Sequence, residues 1–207
     1  VNDREPVLNP VPLLKLRPTQ VTVGLREVAE KRRLWESRPR AKKGQFLGVH
    51  LIPVIVGPKQ KLYLTDHHHL ALALYQSGVE HVLTQTIADL SRLEIDSFWM
   101  VMDCRGWCHP YNAHGRRADF GDIPTSIKKL EDDPFRSLAG ALRRAGGFAK
   151  DTTPFSEFQW ADFLRRRVPR KSIEDDFDEA LTEALKLAQG SEANYLPGWS
   201  GPLGRWS

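Results

Sequence analysis

The spacing of apolar residues divides the chain near residue 93. Before it, short apolar runs alternate with polar turns, a pattern of strands with a few helices between them. Residues 13–16 predict a short strand leading into a turn at Pro18. Residues 24–37 predict a helix, with Leu25, Val28, Ala29, Arg32 and Trp35 near one face. Residues 39–44 predict a basic loop punctuated by proline and glycine. Two strands follow, 46–56 and 62–65, joined by the turn Gly57-Pro58-Lys59-Gln60. A helix then starts at Asp66-His67-His68-His69 and ends at Ser77-Gly78, where glycine takes the left-handed cap. Residues 81–87 return as a strand.

After residue 93 helical signals take over. Residues 93–103 carry Phe98, Trp99, Val101 and Met102, which predicts burial. Residues 106–122 are irregular and rich in hydrogen-bonding groups, among them His109, Asn112, His114, Arg116 and Arg117. Such a loop either lines a site or connects elements at the surface. Asp133-Pro134 sets a cap before a proline at the first helical position, and Gly146-Gly147 closes that helix. Residues 155–167 predict another helix, with the aromatic stripe Phe155, Phe158 and Phe163 as core. Ser172 and Asp175 make a capping-box-like start for the last helix, whose apolar face is Ile173, Phe177, Leu181, Ala184 and Ala188. The tail from Leu196 is not helical; its tryptophans, Trp199 and Trp206, either dock or leave it mobile.

A length of 207 residues suits one domain, or one core with a helical extension. No apolar run approaches the roughly 20 residues that cross a bilayer. Residues 1–12 show no basic segment followed by an apolar core, so no signal peptide is predicted and a cytoplasmic location is expected. Cys104 and Cys108 lack the second pair that zinc would need and are expected to be reduced. The net charge of +4 is unevenly spread: Lys31, Arg32, Arg33, Arg38, Arg40, Lys42 and Lys43 accompany the acid Glu36 over 31–43. That cluster either steers an anion, such as a nucleic acid or a nucleoside triphosphate, or is a solvated helix end. A second basic run, Arg165 to Lys171, is followed by Glu174, Asp175, Asp176, Asp178 and Glu179, which predicts mutual neutralisation.

The densest chemistry lies at residues 66–69. Asp66 suits an N-cap, because its carboxylate can accept a free first-turn N–H. The histidines would fill that first turn, where unpaired amides and the helix dipole favour a phosphate. Imidazoles add donors and titrate near neutral pH, so they also serve as acids or bases. On a helix three consecutive histidines point about 100° apart and cannot share one metal. In an extended segment His67 and His69 would lie on one side and could chelate. A structural role accounts for one of the three imidazoles, and poorly for all.

This strand–Asp-X-His-His–helix pattern resembles the signature turn of the ParB/sulfiredoxin superfamily, most closely a bacterial group of ParB-like nucleases. Leu16-Arg17-Pro18-Thr19-Gln20-Val21-Thr22-Val23-Gly24 resembles the superfamily's N-terminal strand ending in a basic-residue–Pro turn. Asp132-Asp133-Pro134-Phe135-Arg136-Ser137-Leu138-Ala139-Gly140, with Trp160-Ala161-Asp162-Phe163 after it, resembles the narrower group. The resemblance implies an α/β fold of the α+β type. A small mixed sheet with helices would occupy residues 1–92, a helical region packed on it 93–190, and a Pro/Gly/Trp-containing tail 191–207.

The residues also depart from their relatives. His68 stands at the reactive cysteine of sulfiredoxin-like members and Leu70 at their arginine, which disfavours sulfinic-acid reduction. Gln20 stands where free-serine kinases place a catalytic glutamate, and an amide cannot abstract a proton. The arginines of the partition-protein turn are absent. The resemblance then implies a nuclease or a nucleotide-dependent phosphotransferase, with His68 or His69 as acid/base group and Asp66 as its partner. It further implies a phosphate site made of Gln20 and His67, with Arg26, Lys31, Arg40 and Lys43 reaching the phosphates. ATP or another nucleotide would be bound with Mg2+ on Asp66. The alternatives are a non-catalytic DNA-binding module, for which no helix-turn-helix is evident, and a small-molecule kinase.

Overall fold

Local rules account for most elements in the computed structural model, which describes residues 10–201. Most of the segment read for a signal peptide, and Trp206, lie outside the described residues. In chain order the elements are β1 (Val11–Pro12), β2 (Leu16–Arg17), β3 (Thr22–Val23), α1 (Leu25–Glu36) and α2 (Arg40–Val49). Next come β4 (Ile52–Gly57), β5 (Lys61–Leu64), α3 (His68–Gln76), β6 (His81–Val82), β7 (Thr84–Asp89) and α4 (Ile95–Cys104). β8 (Glu131–Asp132), α5 (Pro134–Arg144), α6 (Ser156–Arg165), α7 (Arg170–Asp175) and α8 (Phe177–Gln189) complete the order. Small sheets combined with helices, the later ones C-terminal, make the expected α+β fold. Among the described residues no helix is long and apolar enough to cross a membrane. The described residues divide into two units: one holds 10–21, 28–110 and 119–130, the other 22–27, 111–118 and 131–201.

In the first unit the main sheet has the order β2-β5-β4-β7. β4 and β5 form an antiparallel hairpin with Val54 opposite Leu64 and Val56 opposite Leu62, while β2 and β7 run parallel to their neighbours. Ile55, Tyr63, Phe98, Met102 and Cys108 form a buried cluster beside this sheet. Gly57 makes the cluster possible, because a Cβ there would lie 2.6 Å from the Tyr63 ring and 2.8 Å from that of Phe98. Of the helix expected to be buried over 93–103, Phe98 and Met102 are inside but Met100 is 59% exposed.

Four expectations for this unit need correction. Residues 13–16 begin as a 3-10 turn, Leu13–Lys15, before β2. The basic loop expected over 39–44 is the start of α2. Arg, Ala, Lys and Gln are good helix formers, and Pro39 sits just before the first helical residue, where a missing N–H is no loss. The strand expected over 46–56 therefore shrinks to β4. In α1, Val28 and Trp35 are buried as expected, but Ala29 and Arg32 face solvent and Glu27 is buried instead.

In the second unit β3 and β8 pair in parallel, Thr22 with Glu131 and Val23 with Asp132. Asp132 accepts the Leu25 N–H at 2.8 Å, and the Asp133 N–H donates to Val23 at 2.8 Å. Asp133 also caps α5, accepting the Phe135 N–H at 3.0 Å with Pro134 in the first turn, as the sequence predicts. α5 buries Phe135, Leu138 and Leu142 in a core that includes Trp160, Phe163 and Phe148. Phe148 stacks on Trp160 at 4.4 Å. The tail docks: the Trp160 indole donates to the Pro197 carbonyl at 2.8 Å, and Gly198 accepts the Ala149 N–H at 2.8 Å. The predicted start of the last helix is wrong. Ser172 lies inside α7, and Asp176 caps α8 by accepting the Asp178 and Glu179 N–H groups. Arg170 pairs with Glu174 and Lys171 with Asp175, the neutralisation expected of that run.

Candidate phosphate site at the mouth of helix α3

β5 ends at Leu64, and three residues carry the chain into α3. The Thr65 N–H still bonds to Pro53 at 3.0 Å, so the turn begins anchored to the sheet. His67 then holds the N-cap position in the left-handed region, with φ 64° and ψ 22°, and gives no side-chain cap. The Asp66 carboxylate accepts the His67 N–H at 2.6 Å. Asp66 is therefore not the N-cap that the sequence suggested; its carboxylate is engaged one residue too early. His68 and His69 are helical, which removes the extended arrangement in which His67 and His69 would chelate.

α3 is buried from His68 through Leu74. An apolar helix enclosed on all sides takes its first-turn residues inside with it. His68 is 4% exposed and His69 9%, so neither is open to substrate as the acid/base role expected of them requires. The Nε2 of His68 accepts the Thr19 backbone N–H at 3.1 Å. A nitrogen that accepts from an amide carries no proton, so His68 is neutral with its proton on Nδ1. The Thr19 hydroxyl donates to the Leu64 carbonyl at 2.8 Å. His68 and Thr19 thus lock the chain after β2 to the end of β5.

His67 is the half-exposed member of the three. Burial is the main cause holding its imidazole below the ordinary 6.5, with further repulsion from His50 and Lys31 and an opposing pull from Asp66. It is therefore mostly unprotonated at neutral pH. The nearby His50 stacks on Phe46 at 3.9 Å, with its Nδ1 2.9 Å from the Phe46 carbonyl. Lys43 lies over Trp35 at 5.1 Å and Arg38 over Phe46 at 4.3 Å, while Arg33, Arg40 and Lys42 are exposed.

Of the residues singled out in the sequence, Asp66 and Lys31 lie near enough to His67 to act on its charge, as does His50. Sequence reasoning missed His50, because nothing local marks it; it reaches the site through the end of α2. Gln20 is buried, and its backbone bridges to His109. Arg26 belongs to the second unit, where its guanidinium lies 3.8 Å over the Phe177 ring. Among the described residues no group of three or more His, Cys, Asp or Glu could hold a metal ion. Cys104 and Cys108 are free thiols.

A mixed α+β fold with a strand–turn–helix rich in imidazoles defines the class of protein. Its family follows from comparison: a family model described as "Putative ParB-like nuclease" matches residues 9–166. The chain belongs to that family. It is similar to protein Atu1540 from Agrobacterium tumefaciens, known from a crystal structure, at 55% identity and a TM-score of 0.88. The alignment covers 95% of this chain and 99% of that one. Among curated proteins none matches.

Proposed function

We propose that the mouth of α3 binds a phosphate ester of a nucleic acid or nucleotide and that the reaction is phosphodiester cleavage. The observation that carries this reading is the position of His67, a partly buried imidazole beside the exposed Asp66 at the start of α3, where burial, against the pull of Asp66, holds its pKa below the ordinary value. Such a group can take the proton of an attacking water near neutral pH. Lys31 offsets phosphate charge, and the α3 dipole adds to the attraction. The acid/base role moves from His68 and His69 to His67, because His68 is buried with Nε2 already accepting from Thr19.

Mg2+ commonly binds through one or two carboxylates completed by phosphate oxygens and water. Asp66 is exposed and fits that limited role, supplying one ligand to an ion that arrives with the substrate. The kinase alternative is weakened by Gln20, a buried amide where a base is needed.

The test compares wild type with His67→Ala on single- and double-stranded DNA, with and without Mg2+. Cleavage should fall about 10²–10⁴-fold in the variant, with the melting temperature nearly unchanged. Full activity in the variant removes His67 from the mechanism; a wild type that cleaves nothing removes the nuclease reading. A second reading is favoured by exposed Arg33, Arg40 and Lys42, a basic surface that holds nucleic acid without turnover. In that case DNA affinity would fall steeply with salt while no product formed.

A further inference from the structure

The second unit carries an open cavity of about 500 Å³ lined by Ala113, His114, Arg116, Arg165, Pro169 and Arg170, among others. Its volume lies within the roughly 300–1,000 Å³ of small-molecule sites. One part of its wall is apolar, chiefly Ala113 and the exposed Pro169, and another presents three guanidinium groups. We propose that this cavity binds a phosphomonoester carried on a flat ring, of the nucleoside monophosphate class.

The loop that supplies His114 and Arg116 is held firmly. Asn112 Oδ1 accepts the backbone N–H groups of His114 and Arg116, at 3.0 and 3.1 Å. Gly115, at φ +71°, presses the loop onto Arg165, since a Cβ there would lie 2.6 Å from a guanidinium nitrogen. Arg165 is fixed by Asp133 at 2.6 Å and Asp162 at 3.6 Å, and Arg170 by Glu174 at 2.8 Å. Those acids cancel the charge of two guanidinium groups while holding them in place. No described side chain pairs with Arg116, so its charge is available to an anion. Guanidinium forks match the oxygens of a phosphate, and the exposed Pro169 ring in the same lining gives an apolar face on which a flat base can pack.

The experiment is calorimetric titration of the full chain with adenosine monophosphate, adenosine and inorganic phosphate. The monophosphate should bind more tightly than either part alone. Arg116→Glu should weaken it by about tenfold or more, the loss expected for one charge-assisted contact turned repulsive. Arg116 is exposed, so melting should confirm an intact fold; Arg116→Gln, expected to give a smaller loss, serves if the glutamate variant does not fold. His67→Ala should leave this affinity unchanged, which separates the cavity from the α3 site. No binding at millimolar monophosphate, equal affinity in the Arg116 variants, or a loss confined to His67→Ala would each overturn the proposal.

Discussion

The starts of helices α3 and α5 solve the same physical problem in opposite ways. Each leaves unpaired N–H groups in its first turn. At α5 the chain answers for itself: Asp133 accepts the Phe135 N–H, Pro134 brings no N–H, and Arg165 neutralises the capping carboxylate. At α3 the N-cap residue is a left-handed histidine that caps nothing with its side chain, and the neighbouring carboxylate is occupied by the His67 N–H. A helix start satisfied by its own chain holds the fold, whereas one without a side-chain cap suits an incoming anion. The Asp-Asp-Pro motif is thus architectural. The Asp-His-His-His motif divides in two, with its first imidazole only partly buried and the second built into the core.

The largest effect should come from breaking the self-satisfied start. Asp133→Ala removes the cap and leaves Arg165, 15% exposed, without its closest acid. Loss of one partner from a buried pair costs about 3–5 kcal/mol, which urea unfolding would read directly. Asp133→Asn should cost less, at most about 2 kcal/mol, because the amide oxygen still accepts the Phe135 N–H. Burial outweighs Arg165 and pushes the Asp133 carboxyl above its usual range, so the fold already disfavours the charge that asparagine lacks. Equal losses in the two variants would mean that the cap contributes nothing here.

Next in size is His68→Ala, which tests whether this imidazole belongs to the frame. It leaves the buried Thr19 N–H without its acceptor and opens a small cavity, together worth about 2–4 kcal/mol. A variant as stable as wild type would show that the Thr19 contact is dispensable.

Why the sequence misplaced His68 is instructive. Its partner, Thr19, is 49 residues away, so the contact that fixes its neutral form leaves no local trace. Features written in short-range chemistry were legible: the Asp133-Pro134 start, the left-handed Gly78 after α3, and the β4–β5 hairpin. Two local signals misled. Pro39 and Gly44 read as the ends of a loop, and Gly48 fell in an expected strand, yet Gly44 and Gly48 sit in a helix with no buried residue, carried by the propensity of its other residues. The spacing of Ser172 and Asp175 resembled a capping box, but Asp176 one residue later caps the longer helix. At the candidate site Asp66, His67 and Lys31 could be named from the sequence; His50, and which imidazole stays accessible, depended on the fold.

The smallest effect is expected at the open helix start, from His67→Gly. A side chain at φ 64° costs about 1–2 kcal/mol, which glycine would relieve. Glycine also returns about 0.4–1 kcal/mol of freedom to the unfolded chain, so the net gain should stay below about 1.6 kcal/mol. pH separates this backbone effect from the role of the imidazole. His67 has a folded pKa below 6.5, so the fold binds less proton there than the unfolded chain does. Its contribution to stability is fully present above 6.5 and is lost as pH falls through the depressed value. The glycine variant has no such loss, so its advantage should be small at pH 8 and grow towards pH 5. Urea unfolding at the two pH values measures that gap. A gap that narrows on acidification would show that the fold favours protonated His67, and would remove the argument for its acting as a base.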